Sequence, residues 1–217
     1  QPESQLVQAK VAKGPATFRL TVGPGPPRVV TLRDITVKGM QLEPVLVDYL
    51  CQRNAVTGPL DLTGQSSLQL PGMLPTMSGT GRLSVGPGRV VGPDLPSALS
   101  QALALTDLVS ATLDPKAARP GPRSPLSPDS TTASYTIADG VAHTGDLVYV
   151  ARDIRVTGAG SYALTDGRTA MDVTVTQGSN RVKARLTGAA GSMSIVPTDV
   201  RVKEPKDLRK ALDRLLR

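Results

Sequence analysis

From Ala16 onward the chain alternates apolar and polar positions in short stretches broken by Gly, Pro and Asp, the pattern of β-strands joined by tight turns. Ala16 to Val22 sets Phe18, Leu20 and Val22 on one face against Thr17, Arg19 and Thr21 on the other. Gly23-Pro24-Gly25-Pro26-Pro27 then reverses the chain into a return strand over Val29 to Lys38. Next, Val56, Gly58, Leu60 and Leu62 share a face opposite Thr57, Pro59, Asp61 and Thr63, and Leu68 with Leu70 and Leu83 with Val85 continue the alternation. A turn at Gly86-Pro87-Gly88 leads into Arg89, Val90 and Val91. Beyond residue 132 the alternation resumes as a meander carrying Ile137 and Val141, Val148 and Val150, Ile154 and Val156, Tyr162 and Leu164, Met171, Val173 and Val175, then Val182, Ala184 and Leu186. Asp139-Gly140, Asp166-Gly167 and Gly178-Ser179-Asn180 supply its hairpin turns.

Three segments carry helical spacing instead. Glu43 to Cys51 places Val45, Leu46, Tyr49 and Leu50 on one side, with Pro44 in the first turn. Leu95 to Leu113 presents Leu95, Leu99, Leu103, Leu105, Leu108 and Val109 behind an Asp94-Leu95-Pro96 start. Glu204 to Arg217 sets Leu208, Leu212, Leu215 and Leu216 against a basic side bearing Lys206, Arg209, Lys210 and Arg214. That last helix suits docking on an anionic membrane surface or an envelope protein, or the capping of an open sheet edge. Lys116 to Thr132, rich in Pro, Ser and Arg and without periodicity, reads as a mobile loop inside a single domain spanning residues 1–217. The fold class is therefore mainly β, an antiparallel sheet with about three short helices covering or capping it.

Composition alters this picture in two ways. Hydrophobic residues make up 39% of the 217, yet aromatics only 2%, with no Trp and Phe18 the single Phe, so the core is built from Val, Leu, Ile, Ala and Met. The net charge of +7 favours an anionic partner such as a phospholipid surface. Nucleic acid is not expected, because the bases lack interleaved stacking side chains. Cys51, the single cysteine, forms no internal disulfide and reads as a small core residue. No apolar run reaches the roughly 18 residues of a membrane span, and Gln1 begins mid-pattern. The expectation is a piece of a longer protein whose anchor lies outside this sequence.

Val56 to Gly64, Leu74 to Leu95 and Thr132 to Gly160 are three stretches that, in this order, resemble the C-terminal region of the AsmA family. The first is Val56-Thr57-Gly58-Pro59-Leu60-Asp61-Leu62-Thr63-Gly64, similar to the family's alternating Leu-Asp-Leu strand. The second runs from Leu74 to Val85 through Gly79-Thr80-Gly81, then Gly88 to Leu95, similar to a Gly-x-Gly strand, a Gly turn and a helix entry. The third is Thr132 to Gly160, where Tyr135 to Ala142 and Ile154 to Gly160 resemble the hairpin nearest the family's C-terminus, although Tyr135 stands where a Phe is usual. The resemblance implies a periplasmic protein held at the inner membrane, with a curved, twisted sheet forming a half-barrel or groove. It also implies a non-enzymatic role in passing phospholipid between inner and outer membranes in support of outer-membrane biogenesis.

On that reading the lipid contacts fall to Leu60, Leu62, Leu68, Leu83, Val85, Val148, Val150, Ile154, Val156, Met171, Val173 and Val175. The alternative is an envelope docking module in which the same faces close into an ordinary core and the basic surface recruits a partner. Enzyme chemistry is not expected. A hydrolytic triad needs a nucleophile, a base and an orienting group, whereas the lone His143 lies in a turn-like Ala142-His143-Thr144-Gly145-Asp146 beside one nearby acid. One Cys and one His predict no zinc site, and no cofactor is called for. Gly79-Thr80-Gly81 lacks the Lys-Ser/Thr of a phosphate loop, neither it nor Gly158-Ala159-Gly160 leads straight into a helix, and both read as tight turns or close approaches of strands.

Overall fold

The structure, a computed structural model, describes residues 3–46, 55–91, 127–152, 154–178, 180–189 and 194–201. In chain order the elements are β1 (Gln5–Val11), β2 (Gly14–Val22), β3 (Arg28–Gln41), a helical turn α1 (Leu42–Pro44), β4 (Ala55–Val56), β5 (Pro59–Leu70), β6 (Ser78–Val85) and β7 (Val90–Val91). They continue as β8 (Ser130–Ala138), β9 (Val141–Ala151), β10 (Ile154–Ala163), β11 (Thr169–Gln177), β12 (Asn180–Gly188) and β13 (Ser194–Arg201). Eleven strands form one antiparallel sheet in the order β1-β2-β3-β5-β6-β8-β9-β10-β11-β12-β13, which does not close into a barrel. β4 and β7 pair separately as a short ribbon.

The meander follows from local turn chemistry. Asp139 and Gly140 both take positive φ, 49° and 73°, which gives the twist that lets a two-residue turn join β8 to β9. Ala12 and Lys13 do the same between β1 and β2, at 42° and 71°, with no glycine at either turn position and Gly14-Pro15 just after them. Asp166 accepts the Arg168 N–H (3.0 Å) and its side chain (2.7 Å), which ties down the β10–β11 turn.

Of the three expected helices, the described residues include only the start of the first. Among the described residues, helix is confined to the turn at Leu42–Pro44, with Val45 and Leu46 carrying it on, so the segment begins one residue before Glu43 and is described only through Leu46. The segments 95–113 and 204–217 lie outside the described residues. The Pro-rich loop ends earlier than its composition suggests, because Ser130–Thr132 already pair in β8. Val56 does not continue the strand of Leu60 and Leu62: Gly58 turns at φ 121° and places Val56 in the β4–β7 ribbon. β1 carries no turn signal in front of it and was not foreseen.

Buried apolar residues are scattered as far as β12, with Ala133, Ile137, Ala151, Val182 and Ala184 among them, while a contiguous buried cluster lies on β2, β3, β5 and β6. Ala16, Val37, Met40, Leu60 and Val85 form the buried cluster, and Leu42 and Val45 from the α1 turn fold onto it. Among the described residues no large side chain is fully buried.

Candidate functional site

Residues directly opposite in antiparallel strands share a face of the sheet, so the register gives the two surfaces row by row. One row runs Met40, Leu60, Val85, Thr131, Tyr149, Val156, Val175, Val182 and Val200, from β3 to β13. The neighbouring row begins Ala16, Val37, Leu62, Leu83, Ala133 and resumes as Leu147, Gly158, Val173, Ala184, Pro197. Further rows hold Ile35, Gly64, Gly81 and Tyr135, then Thr144, Gly160, Met171, Leu186 and Ile195. An apolar face therefore crosses the whole sheet. The opposite face carries Thr63, Arg82, Ser84, Thr132, Arg155, Asp172, Arg181, Lys183 and Arg185.

The register brings Leu60, Leu62, Leu68, Leu83, Val85, Ile154, Val156, Met171, Val173 and Val175 onto the apolar face. It separates Val148 and Val150 from them. These pair with Thr132 and Ser130 on one side and with Thr157 and Arg155 on the other, so they belong to the polar face. The cause is an extra residue in β9: Gly145 and Asp146 together oppose Ala159 of β10, and this bulge shifts the alternation by one. Leu147, Tyr149 and Ala151 take the inward places instead. The proposed docking residues Lys206, Arg209, Lys210 and Arg214 lie outside the described residues.

Glycines thin the apolar face where side chains would otherwise crowd. Gly64 and Gly81 are opposite one another, and a Cβ on Gly81 would run into the Tyr135 ring and the Thr63 carbonyl. A Cβ on Gly158 would lie 3.2 Å from Met171 Cε and 3.3 Å from Leu147 Cδ2, so those two side chains fold over it. Both Gly-x-Gly stretches thus sit inside strands, with their glycines on the apolar side. Three tyrosines, Tyr135, Tyr149 and Tyr162, share this surface, and burial raises the pKa of each. Tyr149 is pushed up to about 12 by burial, reinforced by the Asp129 carboxylate.

Hollows of useful size lie on the other side. A cleft of about 470 Å³ is lined by Lys38, Asp61, Arg82, Ser84, Ser134 and Asp146 among others. Its two carboxylates are already engaged. Asp61 accepts the Gly39 N–H (2.8 Å) and the Lys38 ammonium (3.2 Å), and Asp146 accepts the Ser134 N–H (2.7 Å) and the Thr144 hydroxyl (3.3 Å). These bonds hold both carboxyl groups below the ordinary range, chiefly through the backbone donors Gly39 and Ser134, so neither is a proton donor at neutral pH.

His143 lines a neighbouring hollow of about 490 Å³ with Ser134, Thr136 and Asp146. It sits exposed within β9, opposite Thr136 and Ser161, rather than in a turn. No bond among the described residues joins it to Asp146. Nor do three His, Cys, Asp or Glu side chains gather there as metal ligands, and among the described residues no helix is long and apolar enough to cross a membrane. No protein-family model, curated protein or solved structure significantly matches the chain.

Proposed function

We propose that this chain is an AsmA-like, non-enzymatic domain that binds phospholipid acyl chains along the apolar face of a curved sheet and helps pass them between the inner and outer membranes. The observation that carries this reading is the predominantly apolar surface that runs from β1 to β13, opposed by a polar and cationic one. A sheet with one apolar face has to cover it, and each methylene of a bound chain gains about 0.8 kcal/mol by leaving water. The α1 turn covers the end at Met40 and Leu60, leaving the glycine-thinned middle of the face for a flexible ligand. The order of the AsmA-like stretches, which fall on β5, β6 and β8–β10, supports the same assignment. On this reading the domain works in the periplasm, attached to the inner membrane through a segment outside this sequence.

The test is positional. A benzophenone amino acid at Val173 or Val175 crosslinks co-purifying or added phospholipid when the protein is isolated without detergent, whereas the same probe at Val148 or Val150 does not. Lipid-free native mass spectra together with equal, background crosslinking at all four positions would sink the proposal. That outcome would favour the alternative of an envelope docking module with a closed core and a basic partner-binding surface.

A further inference from the structure

The two edges of the sheet differ in kind. β13 is interrupted: Thr198 is an extra residue between the pairs Ala184–Pro197 and Lys183–Asp199, and Pro197 has no N–H to offer. Such an edge resists strand addition. β1 has none of these defences. Its register to β2 is continuous from Gln5–Leu20 to Val11–Gly14, it contains no proline, and Leu6 and Val11 are exposed along it.

The turn fixes which backbone groups the β1 edge presents. Ala12 and Lys13, both at positive φ, make a two-residue turn, so Val11 and Gly14 form a hydrogen-bonded pair. Hydrogen-bonded and non-bonded pairs then alternate. Val7 and Ala9 point their N–H and C=O groups toward β2, and Leu6, Gln8 and Lys10 point theirs away from the sheet.

We propose that the β1 edge pairs with the β1 edge of a second copy about a two-fold axis at Gln8. In this register Gln8 opposes Gln8 of the other copy, Leu6 opposes Lys10 and Val7 opposes Ala9. All the outward N–H and C=O groups of Leu6, Gln8 and Lys10 are then satisfied. Val7 and Ala9 lie on the apolar face and Leu6, Gln8 and Lys10 on the polar one, so each face continues into its counterpart. The two Lys10 ammonium groups lie four residue pairs apart, about 14 Å along the strand, beyond the screening distance at physiological salt. Because β13 is blocked, growth stops at a closed dimer rather than running on into a filament. The pairing uses backbone groups and does not depend on what the apolar face binds.

Sedimentation velocity over a concentration series tests this on the full 217-residue chain. The expected result is a reversible dimer. Gln8→Pro removes an outward N–H without touching the β1–β2 ladder, and it weakens the dimer about tenfold or more, while Gln8→Ala leaves it intact. In a Cys51→Ser background, a mixture of Val7→Cys and Ala9→Cys chains forms a disulfide that Val7→Cys alone does not, since only the mixture places thiols at a directly opposed pair. A chain that stays monomeric throughout, a Gln8→Pro chain that dimerises as well as Gln8→Ala, or crosslinking no greater in the mixture than in Val7→Cys alone would each overturn the proposal.

Discussion

Truncating Leu60 tests whether the apolar face has a true core at its α1 end and thins out away from it. Leu60 is 5% exposed, lies between Met40 and Val85 in its row, and belongs to the cluster on which Leu42 and Val45 fold. Leu60→Ala removes three buried carbons, worth about 2.4 kcal/mol by transfer, and the partly closed site adds a cavity contribution, for a total of about 2.5 to 3.5 kcal/mol. Leu70 provides the internal control, since it lies on the same strand and the same face but is 39% exposed at the far end. The same arithmetic gives Leu70→Ala about 1.5 kcal/mol with no cavity contribution. Urea unfolding followed by circular dichroism at 25 °C reads both. If Leu60→Ala costs no more than Leu70→Ala, the packing gradient along the face is not real and the core assigned to it is wrong.

Two predictions concern ionisation. Asp61 has its pKa lowered in the fold by the Gly39 N–H and then by Lys38, so its stabilising effect is present above the unfolded value near 3.8 and is lost as pH falls through the lower folded value. Asp61→Asn therefore shows a smaller drop in Tm between about pH 5 and pH 2 than the parent, and an unchanged acid limb would remove the carboxylate from its bulge-holding role. Tyr149 runs the other way: its folded pKa of about 12 exceeds the ordinary tyrosine value of 10.0, so its contribution is full below pH 10 and disappears as pH rises toward 12. Tyr149→Phe flattens that alkaline loss, and a phenolate absorbance titration in which the parent and Tyr149→Phe differ by a tyrosine ionising near pH 10 would refute its burial.

The sequence revealed the strands that keep strict alternation and concealed those that do not. In β5, β6, β10 and β11 every second residue faces the same way, and Leu60, Leu62, Leu83, Val156 and Val173 could be placed from periodicity alone. In β3 the inward residues are Val30, Leu32, Ile35, Val37 and Met40, a spacing of two and three in turn, because Asp34 and Gly39 are extra residues relative to β5. In β9 the extra residue at Gly145–Asp146 sends Leu147 and Tyr149 inward, whereas unbroken counting from Ala142 selects Val148 and Val150. A bulge takes up one residue without moving the strand's partners, and it is marked here by at most an isolated glycine, Gly39 or Gly145, which by itself does not say which residue is the extra one. The Asp61 and Asp146 carboxylates were a further signal, each placed to receive a backbone N–H at a bulge.

Those same polar contacts explain how an apolar surface can stay continuous over eleven strands. Side chains in a strand alternate with period two, so one inserted residue in a regular ladder would turn every later apolar residue to the wrong face. Here each insertion in β3 and β9 is absorbed locally and tied from the polar side. Arg19 reaches Asp34 at 3.4 Å, Asp61 holds the Gly39 N–H, and Asp146 holds the Ser134 N–H. Beyond each bulge the apolar phase resumes, with Met40 opposite Leu60 and Leu147 opposite Gly158. The continuity of the apolar face, and with it the lipid binding proposed for it, therefore depends on polar groups on the opposite side, because they decide which side of the sheet Val37, Met40, Leu147 and Tyr149 occupy.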